Sequence, residues 1–438
     1  MGSVIIVGGG LAGLSAAAAL GGAGWQVDLF ETRAFLGGRA TSWPAAGEDS
    51  EVIDNCQHVL LRCCHNLLNF YERMGAGGKI RFYPEYFFLE PGGRVSSLKR
   101  GILPKPMHFA GSFAGLKFLN FADKASIGRA MLAIPSERKR ADLDRITMLD
   151  WLREKEQTAQ AIERYWRHVL VSAVNEELDR MAAAHGLQVF WLAMLESASA
   201  YEMGIPAVPL RELYATDALQ RMSTVRIHSR CPATEIETAD GRVSGIRAGG
   251  IPHTADYYIS AVPFERLAQL APFLAFDSGP FEHSPITGIH LWFDRPITRL
   301  PHAALLDRTI QWMFNKSEGR YLQLVVSASR SLTAMPRPEV IELAVRELAD
   351  FFPVARVAKL ERAQVIKEVR ATFSAKPGLE GLRPAAQTAL PNFALAGDWT
   401  RSGWPATMEG AVRSGYLAAE AAMKAQGRAA RFLIPDAA

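Results

Sequence analysis

The chain has 438 residues, 49 Lys or Arg against 45 Asp or Glu, and a hydrophobic share of 49%. That length is more than one hydrophobic core normally supports, so two domains are expected, and the composition is that of an ordinary soluble globular protein. Its four cysteines (Cys56, Cys63, Cys64 and Cys231) form no Cys-x-x-Cys pair, which argues against a zinc site or a disulfide framework and for reduced thiols in the cytoplasm. No metal site and no nucleic-acid motif is expected.

Residues 2–26 carry no charge. The stretch lacks a basic leader and is broken by seven glycines between Gly8 and Gly24, so it is expected to be neither a signal peptide nor a membrane span. It reads instead as a strand at Ser3–Val7, an Ala-rich helix at Leu11–Leu20 and a second strand at Trp25–Phe30, the opening of a parallel sheet. Helices are predicted at Leu61–Met74, Phe121–Ala133, Met148–Glu156, Thr158–Val174 and Leu187–Tyr201, and the aromatic run Phe82–Phe88 reads by default as one buried strand. A second α/β section follows: a helix at Leu210–Met222, then strands at Val225–Ser229, Ala233–Ala239, Val243–Ala248 and Tyr257–Val262. Strands at Gly288–Phe293 and Tyr321–Ser327 belong to a different sheet. After them come a helix at Pro338–Phe351, a strand at Phe393–Ala396 and a helix over Ala406–Lys424. The fold class is therefore α/β with interleaved domains. Residues 1–75, 209–285 and 381–438 are expected to form a discontinuous Rossmann-like nucleotide domain; 76–208 and 286–380 form a substrate domain of mixed sheet and helices.

The chemistry starts at Gly8-Gly9-Gly10-Leu11-Ala12-Gly13, a GxGxxG between a strand and a helix. Gly8 permits the tight turn, Gly10 lets the backbone approach a pyrophosphate, and Gly13 lets the helix pack on the strand, with the helix N-terminus facing the phosphates. Glu31 lies eighteen residues beyond Gly13 at the end of the second strand, where a carboxylate accepts hydrogen bonds from an adenosine ribose. A bound dinucleotide follows, either NAD or FAD. Leu36-Gly37-Gly38-Arg39-Ala40 comes next and supplies a glycine pair and a cation for the other side of the pyrophosphate. At the far end Phe393–Trp399 reads as a strand entering a Gly397-Asp398 turn. Pro405 suits the first turn of the helix that follows, and Ala411, Gly415 and Ala419 recur every four residues for close packing.

The glycine–glycine–arginine signature resembles that of the amine oxidase and carotenoid desaturase flavoproteins. The segment Asp54–Leu61 and the run Gly397–Gly415 resemble the hydroxysqualene dehydroxylase family, flavoenzymes related to phytoene desaturases, as do Ser260–Pro263, Trp312–Lys316 and Arg370–Phe373. The likeness runs over essentially the whole chain and departs at Cys56, where many members carry glycine. It implies non-covalent FAD, with Asp398 holding the ribityl–phosphate region and the backbone of Ala406, Thr407 and Met408 meeting the flavin's pyrimidine edge. It also implies reductive removal of an allylic hydroxyl from a C30 substrate, hydroxysqualene, to give squalene, and leaves the electron donor open. That chemistry needs a proton donor. Asp54 and His58 are the candidates by position, four apart and side by side if helical. The plainer readings are that Asp54 caps the following helix and His58 bonds backbone. Glu409 is a further acid, more simply a helix-dipole partner. The competing functions are a carotenoid-type desaturase and a flavin-free prenyl-binding carrier.

The segment Arg81–Arg140 holds eleven Lys or Arg against four Asp or Glu, interspersed with Phe, Leu and Ile. It is expected to rest on an anionic membrane surface, with His108–Ala133 either dipping into the bilayer or serving as an ordinary amphipathic element.

Overall fold

A computed structural model describes residues 2–45, 51–214, 218–219 and 221–436. Five parallel strands form one sheet in the order Val225–His228, Gln26–Phe30, Ser3–Val7, Tyr257–Ser260 and Phe393–Leu395. Three widely separated stretches of chain thus meet in one sheet, whose central strands Ser3–Val7 and Tyr257–Ser260 are buried on both faces and must be covered by helices. Leu11–Gly22 is one of these helices, and all its residues but the last are buried. Its neighbour is the closing helix Met408–Ala425. The two approach so closely that a Cβ on Gly415 would lie 2.2 Å from the Ala12 carbonyl oxygen, which is the packing the small-residue repeat predicted.

A seven-stranded sheet runs Leu360–Phe373, His283–Phe293, Tyr321–Ser327, Trp312–Ser317, His302–Leu305, Glu85–Glu90 and Arg94–Lys99. It is antiparallel apart from the pairing of His302–Leu305 with Glu85–Glu90. One of its faces packs Ile289, Leu291, Leu322 and Leu324 on Val340, Ala344 and Leu348 of the helix Arg337–Phe351. A meander of Ala233–Ala239, Arg242–Ala248 and Ile251–His253 turns at Asp240-Gly241, both with positive φ, as a two-residue hairpin requires.

Several predicted elements differ. Leu60–Leu61 is a short strand paired with Met203–Pro206, and the helix begins only at His65, running to Arg73. The aromatic run is two strands, Ile80–Tyr83 and Glu85–Glu90, in different sheets, because Pro84 between them has no N–H to continue a ladder. The helix placed at Leu187–Tyr201 is Ala183–Phe190 followed by a π-type turn to Leu195. Of the helix placed at Leu210–Met222, Leu210–Glu212 is a single 3₁₀ turn, and residues 215–217 and 220 lie outside the described residues. The closing helix starts at Met408 with Thr407 as its cap, so Pro405 precedes the cap rather than occupying the first turn. Phe121–Glu137 runs one turn longer than expected and is opened by a reciprocal Asn120–Asp123 capping box.

Candidate functional site

The glycine-rich turn after the first strand is shaped by contacts that admit no side chain. Gly8 has φ +112°, and its N–H donates to the Phe30 carbonyl at 2.8 Å. A Cβ on Gly13 would lie 1.9 Å from the Gly8 carbonyl oxygen, so the helix sits directly on the turn. Gly10 is different: an added Cβ there meets only Gly38 Cα at 3.9 Å. Packing does not demand glycine at Gly10, whereas close approach of a ligand does. The first turn of the helix has no capping side chain and no carboxylate, leaving its N–H groups free for an anion. Glu31 stands at the end of the second strand; its Oε2 accepts from Gly9 N–H at 2.7 Å and its Oε1 from Arg33 N–H at 2.8 Å.

The second glycine pair is brought against the first. Gly37 pairs with Gly10 in a parallel bridge, and its N–H donates to the Gly9 carbonyl at 2.9 Å. Gly37 and Gly38 have φ of +99° and +64°, a left-handed run natural to glycine. Arg39 then reaches across to form an ion pair with Asp398, and its Nη1 donates to the Ala371 carbonyl at 3.0 Å. Burial opposes the Arg39 charge, but the Asp398 carboxylate outweighs it and holds the guanidinium above its ordinary pKa. The Asp398 loop is fixed by the fully buried Arg383, which donates to the Asp398 carbonyl at 2.9 Å and also to that of Thr400. Thr407 Oγ1 accepts from Gly410 N–H at 3.0 Å, so Ala406, Thr407 and Met408 sit at the opening of the closing helix. The two ends of the chain thus converge on one cradle whose glycines, bare helix N-terminus and arginine suit a dinucleotide pyrophosphate.

Asp54 and His58 are near one another, but not on a helical turn. Asp54 ends the strand Val52–Asp54, and the residues after it form a loop. Asp54 caps no following helix either: its Oδ1 accepts from Ser42 Oγ at 2.7 Å and from Leu210 N–H at 2.9 Å. His58 Nε2 bonds Asn55 Oδ1 at 3.0 Å. Burial pushes the His58 imidazole down to about 4 despite the Asp54 charge, with Lys316 adding to the depression. The ring is neutral at neutral pH. Lys316 is the member of this cluster that sequence reasoning missed as a site residue, although it closes the Trp312–Lys316 stretch. Its Nζ donates to Gln57 Oε1 at 2.9 Å and lies 3.8 Å from Asp54 Oδ2, and burial lowers its pKa against the pull of Asp54. At the Cys56 departure the close backbone approach comes from another strand: a Cβ on Gly288 would lie 3.0 Å from the Asn55 carbonyl oxygen.

Glu409, weighed as an acid, is a cap for a different helix. It is 1% exposed, and its carboxylate accepts from Asn66 N–H at 3.2 Å, Asn66 Nδ2 at 2.7 Å and Leu67 N–H at 2.7 Å, in the first turn of His65–Arg73.

Fold and cradle together define a flavin-dependent oxidoreductase. A model of the flavin containing amine oxidoreductases matches residues 11–423, and the chain belongs to that family. Its cofactor is FAD, held non-covalently. Among its sequence relatives, a probable zeta-carotene desaturase of Synechococcus elongatus is 26% identical, covering 98% of this chain and 100% of the relative. A 15-cis-phytoene desaturase of the same organism is 25% identical, covering 97% of this chain and 96% of its own. Relatives of the carotenoid-desaturase type therefore match nearly end to end; these similar proteins are desaturases rather than dehydroxylases. Among solved structures, an oxidoreductase from Methanosarcina mazei superposes with a TM-score of 0.72 at 18% identity, covering 94% of this chain and 98% of that one. Cyclohexylamine oxidase from Brevibacterium oxydans gives 0.70 at 16%, covering 98% and 100%. Likeness at that level speaks for the fold.

Proposed function

We propose that this protein carries out an FAD-dependent redox step on a long, apolar polyisoprenoid. Gly8, Gly10, Gly13, Gly37 and Gly38 with Arg39 would hold the pyrophosphate, Glu31 the ribose, Gly397 and Asp398 the ribityl end, and Ala406–Met408 the flavin edge. FAD supplies two-electron chemistry, taking up or delivering a hydride. The flanking chain, residues 76–208 and 286–380, would serve as the substrate domain.

The end-to-end likeness to carotenoid desaturases supports desaturation, in which the substrate loses two hydrogens and an acceptor re-oxidises the cofactor. A second reading, reductive dehydroxylation of hydroxysqualene, is favoured by the motif resemblance at Asp54–Leu61 and Gly397–Gly415 and by buried unpaired polar groups described below. In that direction the hydroxyl leaves with a proton, and the Asp54–His58–Lys316 cluster is the candidate donor group. The imidazole is neutral at neutral pH and is a poor acid, whereas the Lys316 ammonium, made more acidic by burial, is the member suited to give a proton to the departing oxygen in a dry site. One experiment separates the directions. Pre-reduced anaerobic enzyme is given hydroxysqualene, and oxidised enzyme with a quinone acceptor is given phytoene or zeta-carotene. Squalene appearing only in the first arm, and lost in Asp54→Asn and His58→Ala variants that keep FAD, establishes dehydroxylation and the donor cluster. A more unsaturated polyene in the second arm alone establishes desaturation. Product in neither arm sinks the polyisoprenoid reading.

No helix among the described residues is long and apolar enough to cross a membrane. The basic segment nevertheless exposes large apolar side chains: Ile102 fully, Phe121 at 87% and Leu132 at 69%, with Leu103 and Met107 about half. Phe121 and Leu132 are eleven residues apart, three helical turns, and so lie on one side of their helix. Exposed Lys99, Arg100, Lys117 and Arg129 accompany them. An anionic lipid surface fits both features, at about 1 kcal/mol per basic residue near the headgroups. The protein is expected to float with phosphatidylserine-containing liposomes, to be released as salt rises, and to float poorly after Ile102→Ser with Phe121→Ser. Equal recovery with neutral and anionic vesicles would count against a lipid partner.

A further inference from the structure

The face of the seven-stranded sheet opposite the Arg337–Phe351 helix carries a polar row. His290 stands directly across from Gln323, and Gln323 across from Phe314 on the next strand. His290 and Gln323 are both 0% exposed. His290 Nδ1 is engaged with the Tyr321 hydroxyl at 2.7 Å. Yet His290 Nε2 and both amide atoms of Gln323, Nε2 and Oε1, have no hydrogen-bond partner among the described residues. Three unpaired polar atoms on two adjacent buried side chains are uncommon, since buried polar groups are almost always satisfied by protein, water or ligand.

This row lies beside the cofactor cradle. Gly288, two residues before His290 and on the same face, abuts the Asn55–Cys56 backbone. The edge strand of the same sheet is bonded through its Ala371 carbonyl to Arg39, the partner of Asp398. Burial, reinforced by Lys316 and Arg362, pushes the His290 ring down to about 3, so it is a neutral group at neutral pH.

We propose that His290 and Gln323 form a polar subsite that binds a neutral hydroxyl on an otherwise apolar substrate. The amide offers a donor and an acceptor, and the imidazole, with Nδ1 engaged by Tyr321, offers one more position at Nε2. A hydroxyl both donates and accepts, and so satisfies such a set without bringing a charge. A pure hydrocarbon leaves all three atoms unpaired. A carboxylate or an amine would be buried here against a neutral ring and a neutral amide. The proposal rests on the polyisoprenoid reading and favours the reductive direction of the two.

The test is equilibrium binding to oxidised, FAD-loaded enzyme with no electron donor, so that nothing turns over. Squalene and hydroxysqualene differ by one oxygen, and their dissociation constants are read from perturbation of the flavin absorbance and from tryptophan quenching. Hydroxysqualene is expected to bind about tenfold more tightly, equivalent to about 1.4 kcal/mol. In Gln323→Met and His290→Phe, both near the original volume, that preference is expected to fall to about twofold or less while squalene affinity holds. Retained flavin absorbance reports that the variants fold; if they do not load FAD, the wild-type preference decides alone. Equal wild-type affinity for the two probes means that the pair holds only water, and overturns the proposal while leaving the polyisoprenoid reading intact. Binding of neither probe removes that reading and the subsite with it.

Discussion

Gly13→Ala is expected to cost the protein its flavin. The added Cβ would fall 1.9 Å from the Gly8 carbonyl oxygen and 3.3 Å from the Ala261 side chain, and neither can retreat: Gly8 is held by its N–H bond to Phe30, and Ala261 by its N–H bond to Val7. The helix must therefore lift from the turn, carrying its free N–H groups away from the place where they would meet the phosphates. Overpacking of this kind costs about 1–3 kcal/mol of stability. The loss of binding should be larger, on the order of a hundredfold in FAD affinity, because several charge-assisted hydrogen bonds are misplaced together. Gly22→Ala is the control. It lies in the same helix with nothing within 4 Å of an added Cβ, and should keep FAD with unchanged or slightly higher stability. Flavin absorbance of the purified proteins and titration of the apo forms compare the two. Equal FAD affinity in both variants would remove the pyrophosphate site from this turn.

Glu409→Ala should be among the most destabilising single changes in the chain. It strips the acceptors from Asn66 N–H, Asn66 Nδ2 and Leu67 N–H at once, all at the buried junction of the closing helix with His65–Arg73. Each unpaired buried donor costs about 1–3 kcal/mol, so a total of about 3 kcal/mol or more is expected. The carboxyl is also a pH probe. Burial lifts it to about 7 against the pull of those donors and of Arg413. Its native pKa is thus above the unfolded one, so the folded state holds the extra proton between about pH 4.5 and 7. The stability linked to this group is present below that window and is lost as pH rises through it. Glu409→Gln should therefore cost more at pH 5 than at pH 7 in urea unfolding. A penalty that instead grows toward pH 7 would show the group to be an anion throughout, its hydrogen bonds prevailing over burial.

The sequence by itself determined what depends on neighbours along the chain. The continuous apolar run Val4–Val7, the glycine spacing of Gly8–Gly13 and the Ala-rich run after it specify a strand, a turn and a helix within about twenty residues, and each is where it was read. The two-residue turn at Asp240-Gly241 is likewise local. Where sequence reasoning failed, a local signal was outvoted by distant partners. Leu61 looks like the start of a helix but is drawn, with Leu60, into a strand by Met203 and Gly204, and the spacing of Asp54 and His58 suggests a helical turn that Ser42 and Leu210 prevent by holding Asp54 in a strand end. Only the tertiary structure decided the pairings on which the chemistry rests. Arg39 meets Asp398 across 359 residues, Glu409 meets Asn66 across 343, and Lys316 meets Gln57 across 259. His290 and Gln323 become neighbours only through the register of two antiparallel strands. Periodicity and capping are short-range and can be read in order. Burial, and with it every shifted proton and unpaired polar atom, depends on which distant segments exclude the water, and that is set by packing.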